Sequence, residues 1–184
     1  MGPMPLTQIS WQDVQQFPDD GKRYEAIEGE PYVTAAPSLR HQAVSLRLTL
    51  TLNAILVEGG YGTLWVAPTG VEFPSTGEGV EPDLAFVSNE RREILTDAWI
   101  RGPPDLLIEI LSPSTASRDL KLKLRLYERQ HVAEYWVVDP VEDDVTVWRF
   151  GSDPECERFT DRLPVRVGDE SVGTIDLREI FRSD

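Results

Sequence analysis

The chain has 184 residues, 40% of them hydrophobic and 27% charged, with a formal net charge of −14 and one cysteine, Cys156. That length fills one core, so one domain over residues 1–184 is expected. The acidic balance excludes tight non-specific nucleic-acid binding through overall charge, no window approaches the roughly 18 apolar residues of a membrane span, and a lone cysteine forms neither an internal disulfide nor a cysteine-based metal site.

The opening MGPMPLTQIS has neither the basic nor the apolar region of an export signal, which points to a cytoplasmic protein. Charge is uneven along the chain. Arg118, Lys121, Lys123, Arg125 and Arg129 outnumber Asp119 and Glu128 in one stretch, whereas Glu142 to Asp144 and Asp153 to Glu157 are acidic. The basic stretch reads either as a solvated helix face or as a local basic surface.

Ser10 followed by Asp13, with Trp11, Val14 and Phe17 at helical spacing, predicts a short capped helix ending before Pro18. Arg23 to Ile27 and Pro31 to Ala35 flank Glu28-Gly29-Glu30 and predict a hairpin, with Glu25 inside its first strand. From Ser38 to about Glu58, Val44, Leu48, Leu52 and Ile55 recur at helical spacing until Gly59-Gly60, and His41 lies in the first turns. Residues 63 to 73 read as one bent or bulged strand around Pro68 and Gly70, and Ser75 to Gly79 as a turn.

Glu81 to Val87 and Asp105 to Leu111 are short apolar runs bounded by Pro or Gly, the pattern of buried strands. Alternation puts Asp83 with Ala85 and Val87, and Glu109 with Leu107 and Leu111, on inward faces. An ionised Glu109 among apolar neighbours is costly without a cation or several donors. Residues 119 to 130 predict a helix capped at Ser117, because Leu, Lys and Arg are good helix formers and no β-branched residue occurs. At 100° per residue Lys121, Arg125, Glu128 and Arg129 share a polar side, while Asp119, Lys123 and Tyr127 run down the apolar one. An inward lysine calls for a carboxylate, and an Asp119–Lys123 pair within the helix is the simplest partner. Val132 to Val138 and Val145 to Phe150 predict paired strands, with Tyr135 and Trp136 in the core. Phe159 to Val167 predicts a strand, and Ile175 to Phe181 a terminal helix after Gly173-Thr174.

Residues 38 to 139 thus read helix, strand, strand, strand, helix, strand, a mixed α/β core of the α+β type. Two inward carboxylates, Asp83 and Glu109, are hard oxygen ligands suited to Mg²⁺ or Mn²⁺, and a nearby Lys123 could orient or deprotonate water, or steady charge on phosphorus. That chemistry is metal-dependent phosphodiester hydrolysis.

Pro82-Asp83, Glu109-Ile110-Leu111-Ser112-Pro113-Ser114, Asp119 with Lys123 and Tyr127, and Glu134 to Asp139 resemble a bacterial restriction-endonuclease-like family of the PD-(D/E)XK nuclease superfamily. Arg23-Tyr24-Glu25, Glu28-Gly29-Glu30 and His41 extend the resemblance over nearly the whole chain. It implies a restriction-endonuclease-like core with an extra N-terminal hairpin and C-terminal strands. It also implies a metal held by Asp83, Glu109 and the Ile110 carbonyl, and DNA as substrate. The superfamily commonly places its lysine two residues after the glutamate, where this chain has Leu111, so the resemblance implies Lys123 as the amine. Glu25 stands as a third carboxylate, Tyr127 as a hydrogen-bonding neighbour, and Asp119 and His41 as accessory residues. His131 stands where the family often has Gly.

Two other functions compete. The acidic charge and the absent lysine at position 111 suit an inactive nuclease-fold module that binds nucleic acid or a protein partner. A glycosidase-like carboxylate pair fits Asp83 and Glu109 but leaves the inward Lys123 unexplained. By fold-level analogy alone, a homodimer suits an enzyme that cuts two strands.

Overall fold

The computed structural model describes residues 8–18, 20–34, 36–112 and 116–182, the side chains of 116–119 excepted. Helix α1 (Trp11–Val14) starts at Ser10, whose hydroxyl and the Asp13 carboxylate form a reciprocal capping box. Strands β1 (Arg23–Ile27) and β2 (Glu30–Thr34) pair antiparallel around Glu28 and Gly29, which have φ of 54° and 80°. Two consecutive positive φ values give the twist that a tight hairpin requires. Helix α2 (Leu39–Leu52) is capped by Ser38 and continues as a π turn over Asn53–Val57.

Strands β3 (Gly62–Val66), β4 (Val71–Phe73), β5 (Glu78–Val80) and β6 (Leu84–Ser88) follow, then a 3-10 segment over Asn89–Ile94, β7 (Ile100–Arg101) and β8 (Leu106–Ile110). Helix α3 (Ala116–Arg129) leads into β9 (Glu134–Asp139), β10 (Asp144–Arg149), β11 (Glu155–Phe159), β12 (Arg162–Val167), β13 (Glu170–Asp176) and α4 (Leu177–Phe181). The central sheet has the order β11-β10-β9-β8-β6-β3, a second sheet the order β2-β1-β5-β4-β7, and β12 and β13 form a separate hairpin. Within the central sheet β8 and β9 run parallel, joined through α3, and the other pairs run antiparallel. The α2-β3-β6-β8-α3-β9 series is the predicted helix, strand, strand, strand, helix, strand order.

Alternation divides the core. Leu84, Phe86, Ile108 and Ile110 pack against Val44, Leu48 and Leu52 of α2 and Ile180 and Phe181 of α4. Ala85, Val87 and Leu107 face the other way, toward Leu122, Leu126 and Tyr127 of α3. Glu109 shares the face of Leu107, so it points at α3.

Several boundaries differ from the sequence reading. The stretch 63 to 73 is two strands in different sheets, β3 and β4, because Pro68 and Gly70 interrupt the ladder between them. Gly79 lies in β5 rather than in a turn. A Cβ there would meet the Trp11 ring at 2.3 Å, so this glycine serves close approach. Ser117 falls inside α3 and is not its cap. Phe159 to Val167 divides into the end of β11 and all of β12 at Thr160-Asp161. Gly173 and Thr174 belong to β13, and the terminal helix begins after Asp176, its N-cap. A Cβ on Gly173 would come within 2.7 Å of Ile55, which accounts for a glycine inside that strand.

Candidate active site

The antiparallel register of β6 and β8 pairs Leu84 with Ile108. One residue before Leu84 is Asp83, in the bend before β6, and one residue after Ile108 is Glu109, at the same end of the β6–β8 pair. The Ile110 N–H donates to Asp83 Oδ2 at 2.8 Å, and the Leu111 N–H donates to Val138 of β9. Successive residues of a strand point their backbone groups to opposite edges, so Ile110 turns its carbonyl as well as its N–H toward the Asp83 side.

Three further elements converge there. From β1, Glu25 Oε1 accepts from the Glu81 N–H at 3.0 Å and from Lys123 Nζ at 2.9 Å. From α3, Lys123 Nζ also donates to Glu109 Oε1 at 2.8 Å, and the Tyr127 hydroxyl donates to the same oxygen at 2.8 Å. From α2, His41 Nε2 lies 3.1 Å from Asp83 Oδ2. A carboxylate only accepts, so Nε2 carries the proton, and Nδ1 is buried without a partner among the described residues. Arg23 adds an ion pair to Asp83 Oδ1 at 3.4 Å.

Side-chain exposure is 4% for Glu25, 7% for Asp83, 14% for Glu109 and 10% for Lys123. These groups, together with half-buried Glu81, line a cavity of about 80 Å³ that opens to solvent. Among the described residues, the carboxylates of Glu25, Glu81, Asp83 and Glu109 thus face the side-chain cations of Arg23 and Lys123. Burial by itself would raise the Asp83 carboxyl, but His41, the Ile110 N–H and Arg23 outweigh it and hold the group below its usual range. Glu109 behaves oppositely. Burial pushes it up to about 7, and repulsion from Glu25 and Asp83 adds to what Lys123 only partly offsets. Burial disfavours the Lys123 ammonium, yet Glu109 and Glu25 overcome that cost and move its pKa above the ordinary lysine value. Burial, reinforced by Glu109, also raises the Tyr127 hydroxyl, and burial raises Glu81.

A match to the Uma2 family, described as "Putative restriction endonuclease", spans residues 11–170. The chain belongs to that family. A protein of Synechocystis sp. described as uncharacterized is 25% identical over 170 residues, covering 92% of this chain and 85% of that one. A crystal structure titled as a "putative nuclease belonging to DUF820" from Anabaena variabilis superposes with a TM-score of 0.77. It has 20% sequence identity, with 94% of this chain and 97% of that chain covered, a likeness that shows the fold. The Uma2 chain is thus restriction-endonuclease-like in fold.

The structure brings Glu25, His41, Asp83, Glu109 and Lys123 together around one cavity, with buried Tyr127 behind Glu109 as its donor. The partners of Lys123 are Glu25 and Glu109, and the side chain of Asp119 lies outside the described residues. Sequence reasoning gave no role to Arg23 or Glu81. Arg23 was accessible from the pattern, since it alternates with Glu25 and shares its strand face. His131 has φ of 59°, the left-handed backbone that glycine adopts without strain.

The donor set fits a divalent cation. Among the described residues of the cleft, carboxylates outnumber the lysine and arginine side chains. Among those residues no three His, Cys, Asp or Glu side chains converge on one point. Asp83 and Glu109 are oxygen donors of the kind Mg²⁺ and Mn²⁺ take, in shells that water, phosphate or carbonyl oxygens complete.

Proposed function

We propose that the protein is a Mg²⁺- or Mn²⁺-dependent DNA endonuclease, with Asp83, Glu109 and the Ile110 carbonyl as the metal-holding groups. The observation that carries this reading is the cluster itself: Asp83, just before β6, accepting from the Ile110 N–H next to Glu109 of β8, with a buried lysine 2.8 Å from Glu109. A bound divalent ion would polarise a phosphoryl oxygen and lower the pKa of a water molecule there.

The remaining work falls to the chain. His41, Arg23 and the Ile110 N–H keep Asp83 ionised and fix its orientation. Tyr127 and Lys123 hold Glu109 Oε1 from the α3 side. Because its pKa moves upward, Lys123 works as an ammonium, orienting the attacking water and offsetting charge that develops on the phosphate. It does not serve as the base. Glu25 keeps Lys123 charged and in place through its second hydrogen bond.

The test is cleavage of supercoiled and single-stranded DNA with Mg²⁺ or Mn²⁺, using wild type and Glu109→Gln purified identically. Metal-dependent cleavage lost in the variant supports the reading. Cleavage that survives the substitution, or no cleavage by folded wild type, overturns it, the latter in favour of a nuclease-fold binding module.

A further inference from the structure

The two side-chain cations of the cleft are held differently. Lys123 has two of its three N–H donors committed, at 2.9 Å to Glu25 and 2.8 Å to Glu109, and its side chain is 10% exposed. A guanidinium has five donors, and Arg23 makes one long hydrogen bond among the described residues, 3.4 Å to Asp83 Oδ1, at 20% exposure. Position explains the difference. Arg23 opens β1 two residues before Glu25, so it shares the inward face of that strand, and with its cross-strand partner Thr34 it lines the cavity nearer solvent.

The Asp83 carboxylate sets what Arg23 can do. Its Oδ2 accepts from the Ile110 N–H at 2.8 Å and from His41 Nε2 at 3.1 Å, which together take the two lone pairs of that oxygen. Oδ1 is the oxygen left to face a divalent cation, and it is the oxygen that Arg23 touches. Guanidinium and cation therefore call on one atom. When Arg23 gives up Oδ1, His41 and Ile110 still hold the carboxylate in place through Oδ2. Cavity size limits what enters beside them. About 80 Å³ is well below the roughly 300–1,000 Å³ of pockets that enclose a small organic molecule, so only a group the size of a phosphate reaches the carboxylates. A planar guanidinium at the mouth matches the two non-bridging oxygens of a phosphodiester with paired N–H donors.

Resting on the nuclease reading above, we propose that Arg23 is the phosphate-binding residue of this site and exchanges partners, releasing Asp83 Oδ1 to the divalent cation and turning its N–H fork to the non-bridging oxygens of a phosphodiester at the mouth. Arg23 thus opposes the cation at Asp83 and holds the substrate beside it. Glu81 is the competing destination, since burial raises its carboxyl and the Arg23 charge works against that rise. A guanidinium that moved to Glu81 would free Oδ1 without touching the substrate.

The experiment compares wild type, Arg23→Gln and Arg23→Lys, each shown to be folded by circular dichroism. Mn²⁺ affinity without DNA is read from the free-ion signal in paramagnetic resonance, and the part lost in Asp83→Asn defines this site. Arg23→Gln should bind Mn²⁺ about threefold more tightly, because a competitor for Oδ1 is gone. Binding of a labelled oligonucleotide, single-stranded and duplex, is read by fluorescence anisotropy in Ca²⁺, which takes the same class of oxygen ligands. It should weaken about tenfold in Arg23→Gln, and kcat in Mn²⁺ should fall about a hundredfold. Arg23→Lys keeps the charge without the fork and should lie between the two in binding and kcat. Lost or unchanged Mn²⁺ affinity in Arg23→Gln overturns the exchange and leaves Arg23 a fixed support for Asp83. Tighter Mn²⁺ binding with unchanged oligonucleotide binding and kcat overturns the phosphate role. Either result leaves the nuclease reading standing. If folded wild type cuts nothing, that reading falls, whereas weaker oligonucleotide binding by Arg23→Gln still upholds the phosphate contact. Neither Mn²⁺ at Asp83 nor oligonucleotide binding by folded wild type overturns both.

Discussion

Helix α3 carries a buried polar cluster at each end, and the two have opposite character. At its C-terminal end one carboxylate, Glu78, is surrounded by donors. The Glu28 N–H at 2.8 Å, Thr76 at 2.8 Å, Gln130 at 3.0 Å and the Arg129 guanidinium all reach it, and Ser75 donates to Gln130 in turn. Burial raises the Glu78 carboxyl, but these donors outweigh it and leave its pKa lowered. Toward the other end several carboxylates share Lys123, and Glu109 is pushed up to about 7. The first cluster is a brace that fixes α3 against the β1–β2 and β4–β5 turns. The second stores uncompensated negative charge beside a cavity. Burial of a charged group does not by itself mark a site; incomplete satisfaction does.

The sharpest way to break that contrast is to remove the carboxylates. Asp83→Ala or Glu109→Ala should reduce metal-dependent cleavage by about a thousandfold or more, since metal-centred charge stabilisation is worth several kcal/mol. Retained secondary structure by circular dichroism distinguishes this from unfolding. Next comes Lys123→Met, expected to cost about 10²–10⁴ in rate. It should also destabilise the fold by about 3 kcal/mol at neutral pH, because two buried carboxylates lose their cation. Thermal melts should show that loss shrinking in acid, where Glu109 takes up a proton.

The pH dependence of the metal-free protein follows from Glu109. Its folded pKa, about 7, lies above the ordinary value of 4.5, so the folded state holds a proton that the unfolded state releases. That contribution to stability is complete below about pH 4.5 and fades as pH rises through about 7. Melts in EDTA across this window should show the decline, and Glu109→Gln should flatten it. Cleavage should rise over the same window, because metal binding needs the ionised carboxylate.

The brace predicts a different outcome. Gln130→Ala should cost about 1–3 kcal/mol in denaturant unfolding, the penalty for leaving Glu78 and Thr76 short of a donor. Activity per folded molecule should stay within about threefold of wild type. The smallest effect belongs to Tyr127→Phe. Losing one donor to Glu109 should cost about 1 kcal/mol and shift the pH–rate profile upward.

The helix-strand-strand-strand-helix-strand order was legible because it rests on local periodicity, and the inward Lys123 was legible from its place on the apolar side of α3. Its partners were not. Glu25 and Glu109 lie 98 and 14 residues away, and spacing along one helix reveals only neighbours such as Asp119. Two of the misread segments share one cause. Gly79 and Gly173 looked like chain breaks, whereas each sits in a strand where another side chain packs too close for a Cβ. Close approach is a tertiary fact, without a local signature.

The most direct test of the central claim is anomalous diffraction from a crystal soaked in Mn²⁺ at pH 8. The expected result is a manganese peak among the Asp83 carboxylate, the Glu109 carboxylate and the Ile110 carbonyl, with Lys123 beside it. A peak confined to other residues, or none at this centre under saturating Mn²⁺, would contradict the assignment.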